Sequence, residues 1–144
     1  MEIATMGKIL VKVRITNLGD WLNSKQALLG PEQVRSIEVE DAIVDPSAEF
    51  ISLPKRMIQK LDLDNVATRT MTTAAGDVVC KIYYAARIEI QGRECTLHVR
   101  EVPDTCPVLV GNLALGAMDF VVDPIKQQVI GNPAHGGKEM IELY

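Results

Sequence analysis

Over residues 9–16, Ile9, Val11, Val13 and Ile15 alternate with polar Lys12, Arg14 and Thr16, the period of two that sets one face of a strand against a core. Only Leu10 interrupts the alternation. From 17 to 31 the pattern lapses into a turn-rich connector whose Trp21, Leu22, Leu28 and Leu29 are apolar enough to pack on the body. Alternation returns over 34–44 and ends in the continuous apolar run Ala42-Ile43-Val44, as in a buried strand. A turn over 45–48 leads to a short strand over 50–53. A helix opened by Pro54 follows, with Met57, Ile58 and Leu61 along one face.

Two β-branched strands over 66–73 and 78–90 flank Ala74, Ala75, Gly76 and Asp77, where Gly76 supplies the positive φ of a hairpin tip. The small, polar residues over 72–77 predict a mobile tip. A second hairpin joins 87–90 to 95–102 through Gln91, Gly92, Arg93 and Glu94. The wholly apolar strand 108–110 then runs into Gly111, Asn112 and a helical stretch over 113–118. Two last strands, 120–122 and 128–130, lie around an Asp123-Pro124 turn. The pattern predicts a mostly β fold with two short helices.

The chain has 144 residues, 47% of them hydrophobic and 24% charged, which suits a single globular domain over 1–144 and excludes a disordered or collagen-like chain. Its core is expected over 6–131, with a tail over 132–144. Fifteen Lys and Arg against nineteen Asp and Glu leave a net charge of −4 and no basic stripe, so no nucleic-acid partner is expected. The longest apolar stretch, 106–118, is broken by Pro107 and Asn112, so no membrane span is expected. Lys8, Lys12 and Arg14 cut into 1–16 where a signal peptide carries its apolar block. The odd set Cys80, Cys95 and Cys106 fits neither a disulfide framework nor a zinc knuckle. The expected setting is a reducing cytoplasm.

Most catalytic chemistry finds no support. Cys95 and His98 are three apart on a strand and point to opposite faces. His135 sits in the Gly- and Pro-rich tail and reads as a solvated residue. No glycine run carries the Lys and hydroxyl of a phosphate loop, and two distant histidines without an acidic triplet predict no metal. No cofactor is expected. One carboxylate stands out: Asp45 ends the buried run 42–44 and enters a tight turn that would hold it rigidly. Asp followed by Pro and Ser is also ordinary turn chemistry. Val122-Asp123-Pro124 repeats the tripeptide Val44-Asp45-Pro46, so the residues alone leave both readings open.

The segment Ala42-Ile43-Val44-Asp45-Pro46-Ser47-Ala48-Glu49-Phe50-Ile51-Ser52-Leu53-Pro54 resembles the active-site strand of single-domain, retropepsin-like aspartic proteases, where an apolar run precedes Asp-Thr-Gly-Ala or Asp-Ser-Gly-Ala. Val108-Leu109-Val110-Gly111-Asn112 and the helix after it are similar to that family's second hallmark, an apolar run ending in Gly. The likeness, to prokaryotic members, runs from about Gly7 through residues 131–137 and so covers most of the chain. It implies the acid-protease fold, a closed β-barrel of about seven to nine strands with two short helices. It further implies a homodimer in which each chain supplies one aspartate, Asp45, to a pair that hydrolyses extended peptides. By the same resemblance, residues 74–77 form a flap over substrate, and Glu49 falls where retroviral members carry an acidic substrate-binding residue. Met140, Ile141, Leu143 and Tyr144 are apolar enough to seek a partner surface in that dimer.

The departures are specific. Where the family has a Thr or Ser that braces the paired loops, Pro46 has neither hydroxyl nor N–H. Where it has Gly, Ser47 brings a Cβ and a hydroxyl into the loop before Ala48. Where Arg commonly follows the second-hallmark Gly, Asn112 offers Glu49 no charge partner. Two classes of function follow from the resemblance: an aspartic endopeptidase with a modified site, and a non-catalytic dimeric module that keeps the peptide groove.

Overall fold

A computed structural model describes residues 8–142, so Gly7 and the first residues of the expected core, and Leu143 and Tyr144 of the tail, lie outside the described residues. Strand β1 (Ile9–Asn17) obeys the alternation, with Val11, Val13 and Ile15 buried and Lys12 and Arg14 outward. Leu10, 53% exposed, belongs to that outer face and breaks no rule of packing. β1 pairs antiparallel with β2 (Ser36–Val44) from Ile9 opposite Val44 to Thr16 opposite Ser36, with a bulge between Val11 and Val13. Within the apolar run of β2, Ala42 and Val44 are buried and Ile43 is half-buried.

After β3 (Ile51–Pro54) and helix α2 (Lys55–Leu61), two long hairpins are built from β4 (Asp64–Thr73), β5 (Gly76–Ile90) and β6 (Arg93–Val102). The β5–β6 turn places Gln91 and Gly92 both at positive φ, the geometry that suits the twist of paired strands. β7 (Leu109–Val110) runs parallel to β2 and antiparallel to β3, while β3 runs parallel to β6. The neighbour order is therefore β1-β2-β7-β3-β6-β5, and the far end of β1 pairs back onto β5, Arg14 opposite Glu89 and Ile15 opposite Ile88. Six strands thus form a ring, and β4 flanks β5 as an edge strand. The ring encloses Val13, Ile15, Ile51, Leu53, Leu61, Ile88, Ile90, Val99 and Val110, all essentially removed from water. Helix α3 (Asn112–Ala117) and a separate hairpin of β8 (Phe120–Asp123) and β9 (Gln128–Gly131) complete a mostly β chain.

Two expectations need correction. The described residues hold three α-helices, not two: α1 (Leu18–Lys25) lies in the stretch read as a connector. Asn17 ends β1 and also caps α1, its side-chain oxygen accepting from the Asp20 N–H, while its amide donates to the Leu61 carbonyl at the end of α2. Buried Asp20 holds Arg35 through two charge-assisted bonds of 2.7 and 2.8 Å, and Arg35 reaches on to Asp62 at 2.8 Å. Trp21 is half-buried with Lys25 and Arg87 over its ring, whereas Leu22 and Leu28 stay exposed. The second correction concerns His135, which is not solvated: its side chain is only 13% exposed and binds Asp119 across the chain.

Candidate functional site

β2 delivers Asp45 to the end of a buried strand, and β7 holds it there: the Ile43 N–H donates to the Val108 carbonyl and the Asp45 N–H to the Val110 carbonyl, at 2.9 and 3.0 Å. Beyond the turn, the Asn112 N–H donates to the Ala48 carbonyl at 2.7 Å and the Leu113 N–H to the Glu49 carbonyl at 3.1 Å. Loop 45–49 and residues 110–113 are thus laced from both ends. Gly111 permits the closeness: a Cβ there would lie 2.5 Å from the Phe50 carbonyl oxygen and 2.7 Å from the Glu49 carbonyl carbon. Its φ of −93° is open to any residue, so space, not backbone conformation, demands glycine.

The Asp45 carboxylate is half-buried and occupied locally. Oδ1 accepts from the Ser47 N–H at 3.0 Å and from the Ser47 hydroxyl at 2.5 Å. The hydroxyl bond, then the N–H bond, holds the carboxyl below its ordinary range, with partial burial opposing them. Asp123 shows how much of this is turn chemistry, for its Oδ1 likewise accepts from the Ile125 and Lys126 N–H groups at 3.0 and 3.2 Å. What Asp45 has and Asp123 lacks is the second loop across Gly111. Pro46 and Ser47 are exposed, Ala48 is half-buried, and Glu49 is exposed.

The hairpin tip joins β4 to β5. Ala74 and Ala75 form a two-residue turn, with Gly76 at φ +114° and open space where a Cβ would stand. The Thr73 hydroxyl donates to the Gly76 carbonyl at 2.7 Å and the Thr72 hydroxyl to the Asp77 carboxylate at 3.1 Å, so the tip is braced internally. Two cavities flank the hairpin. One, of about 520 Å³, lies among Met71, Val78, Val79, Lys81, Arg100 and Lys55, and the other, of about 480 Å³, among Phe50, Val66, Met71, Ile82 and His98. Met71 belongs to both, and Asp45 lines neither. Arg100, which the sequence reading passed over, donates to the Ser52 hydroxyl at 2.9 Å and fixes β6 to β3 beneath the first cavity. It shares the outer face of β6 with Thr96 and His98, opposite the buried Cys95 and Val99, so the alternation of the strand gave no sign of it.

No family model matches this chain, and no curated protein matches it closely enough to show a relationship.

The chemistry available at the double loop is that of a carboxylate. Cys95 is buried and burial pushes its thiol up to about 11, which removes it as a nucleophile, and His98 lies exposed on the other face of β6. Among the described residues no three His, Cys, Asp or Glu side chains converge as a metal site, and no helix is long and apolar enough to cross a membrane. Asp45 is an ionised acceptor at the mouth of a rigid double loop. One such group binds a donor; general acid and base chemistry at a peptide bond needs a second, protonated one beside it.

Proposed function

We propose that this chain is a retropepsin-like aspartic peptidase homologue working as a homodimer, with one Asp45 from each protomer meeting at the two-fold axis. The observation that supports the reading is the lacing of loop 45–49 to residues 110–113 around Gly111, because loops that meet their symmetry mates need a rigid common base. On this reading the six-strand ring is the acid-protease barrel. Two carboxylates in contact cannot both ionise, so the pair holds one proton. The ionised member takes a proton from water as the water oxygen adds to the scissile carbonyl carbon, and the protonated member donates to the carbonyl oxygen. Collapse of the adduct breaks the C–N bond and returns a proton to the leaving amine. The peptide lies extended along the β4–β5 hairpin, pairing main chain as an added strand, with side chains in the cavities that share Met71. The work is done in the cytoplasm and without a cofactor.

One observation favours a second reading, a dimer that binds peptides without cutting them. Ser47 gives its hydroxyl and its N–H to the same Asp45 oxygen, which favours the ionised form when the pair must share a proton, and Pro46 has no donor to brace the loops. The test is sedimentation together with cleavage of unstructured peptides between about pH 4 and 7, the span in which a coupled pair holds one proton. Wild type should sediment as a dimer and cleave little. Pro46→Thr with Ser47→Gly should gain cleavage that Asp45→Asn abolishes. Only monomer at micromolar concentration rejects the dimer, cleavage that survives Asp45→Asn rejects the aspartic mechanism, and an inert double variant that still binds peptide selects the binding module.

A further inference from the structure

The cavity of about 520 Å³ beside the β4–β5 hairpin pairs an apolar wall of Met71, Val78 and Val79 with three cations, Lys55, Lys81 and Arg100. Arg100 is the unusual one. Arg14, Arg35, Arg56 and Arg87 each have a carboxylate oxygen between 2.7 and 3.9 Å away, and Arg93 gives its guanidinium to three main-chain carbonyls. Half-buried Arg100 has neither arrangement: Nε and Nη2 donate to the Ser52 hydroxyl at 3.3 and 2.9 Å, and Nη1 lies 3.5 Å from the Met71 sulfur. A neutral hydroxyl and a thioether return only part of the hydration that burial takes from a guanidinium. Two of its five N–H donors are left over.

The carboxylates on the cavity do not supply the missing counter-charge. Glu101 accepts from the Tyr83 hydroxyl at 2.9 Å. Asp104 accepts from the Arg56 N–H at 2.9 Å and lies 3.7 Å from the Arg56 guanidinium, which offsets its charge. Lys55 and Lys81 are exposed, and among the described residues neither they nor Arg100 form a salt bridge. With Asp104 matched by Arg56, three cations stand against the one carboxylate of Glu101.

We infer that this cavity takes an acidic side chain, glutamate before aspartate, from an extended peptide bound along the hairpin. The inference rests on the peptide-binding reading above and holds whether or not the peptide is cut. Glutamate suits both halves of the cavity: its methylenes lie against the apolar wall, and its carboxylate reaches the cations and the two open Arg100 donors. Aspartate, one methylene shorter, fills less of the wall. The whole chain carries a net charge of −4, so the long-range field disfavours an acidic peptide, and a preference for one has to arise from local contacts.

The experiment measures binding of fluorescein-labelled host peptides to the full chain by anisotropy at neutral pH, with a single Glu or Gln moved through each position in turn. Wild type should favour Glu over Gln by about fivefold at one position, the scale of a partly exposed charge contact. The ratio should shrink at about 1 M salt, where screening reaches down to about 3 Å. Arg100→Gln, which keeps a donor for the Ser52 hydroxyl, should bring the ratio close to one. Lys55→Glu with Lys81→Glu, two exposed changes that leave the Ser52 brace in place, should invert it. Equal affinity for Glu and Gln peptides at every position overturns the inference and leaves the peptide groove standing. A Glu preference that survives both variants overturns the assignment to this cavity. Failure of wild type to bind any of the peptides overturns the inference together with the peptide-binding reading.

Discussion

Gly111→Ala is the most demanding test of the double loop, because the three atoms its Cβ would meet are all main chain. The Phe50 oxygen would stand at 2.5 Å, the Glu49 carbon at 2.7 Å and the Glu49 oxygen at 2.8 Å, where ordinary contact begins at 3.4 Å. No rotamer change relieves them; loop 45–49 must move away from residue 111. The two bonds that lace the loops, 2.7 Å at Asn112 and 3.1 Å at Leu113, stretch with that movement and fall outside hydrogen-bond range. Overpacking costs about 1–3 kcal/mol and each lost bond about 1 kcal/mol, so the substitution should destabilise by about 3–5 kcal/mol. Gly116→Ala is the control. It adds the same methyl in α3, where nothing lies within 4 Å, and should stabilise by about 0.5–1 kcal/mol through helix propensity alone. Urea unfolding followed by Trp21 fluorescence and far-ultraviolet dichroism reads both. At slopes of about 1–3 kcal/mol/M, Gly111→Ala should move the midpoint down by about 1 M or more and Gly116→Ala slightly up. A Gly111→Ala midpoint equal to that of wild type would refute the close approach, and with it the rigid base assigned to Asp45.

Ser47→Ala removes the largest influence on Asp45, so its carboxyl should titrate closer to 3.8 by carbon-detected NMR, while Ser47→Thr keeps the depression. Since that depressed pKa stabilises the fold above pH 3.8 and the effect fades as pH falls through the folded value, the Ala variant should differ from wild type most near neutrality and converge with it in acid. Asp20→Asn should cost about 2 kcal/mol at pH 7, measured by thermal unfolding, by weakening the charge-assisted pair with Arg35. Asp20 too is depressed, chiefly by the Arg35 side chain, so the gap between variant and wild type should close below pH 3.8.

Period-two alternation reported which face of β1 and β2 is buried, and the apolar triplets at 42–44 and 108–110 reported where the chain dives into the core. Neither pattern carries information about neighbours. That β7 slots between β2 and β3, and that Arg14 pairs with Glu89 to close the ring, depends on contacts between residues far apart in the chain, which local periodicity does not encode. Helix α1 escaped for a different reason: Gly19, Asp20, Asn23 and Ser24 dilute its apolar stripe. The Asn17 and Asp20 spacing was the available sign of a helix start. His135 reads as solvated only if Asp119 is taken as an ordinary residue. The positive φ at Asp119 turns its carboxylate back toward residue 135, and nothing in the run Met118-Asp119-Phe120 announces it.

The two Val-Asp-Pro tripeptides isolate what makes a carboxylate a candidate for catalysis here. Both aspartates cap their own turns, and both accept from donors two residues on, so local hydrogen bonding separates nothing. Asp123 turns the two-stranded β8–β9 hairpin. Asp45 turns a loop whose far side is tied to a second loop by two main-chain bonds, across a gap that only glycine fits. Rigidity imposed from outside the turn distinguishes them, and it comes from residues some sixty-five positions later in the chain. The same argument places the weakness of the site. Lacing fixes where Asp45 stands, whereas Ser47 favours its ionised form, and the proposed pair, which must share a proton, depends on the second as much as on the first.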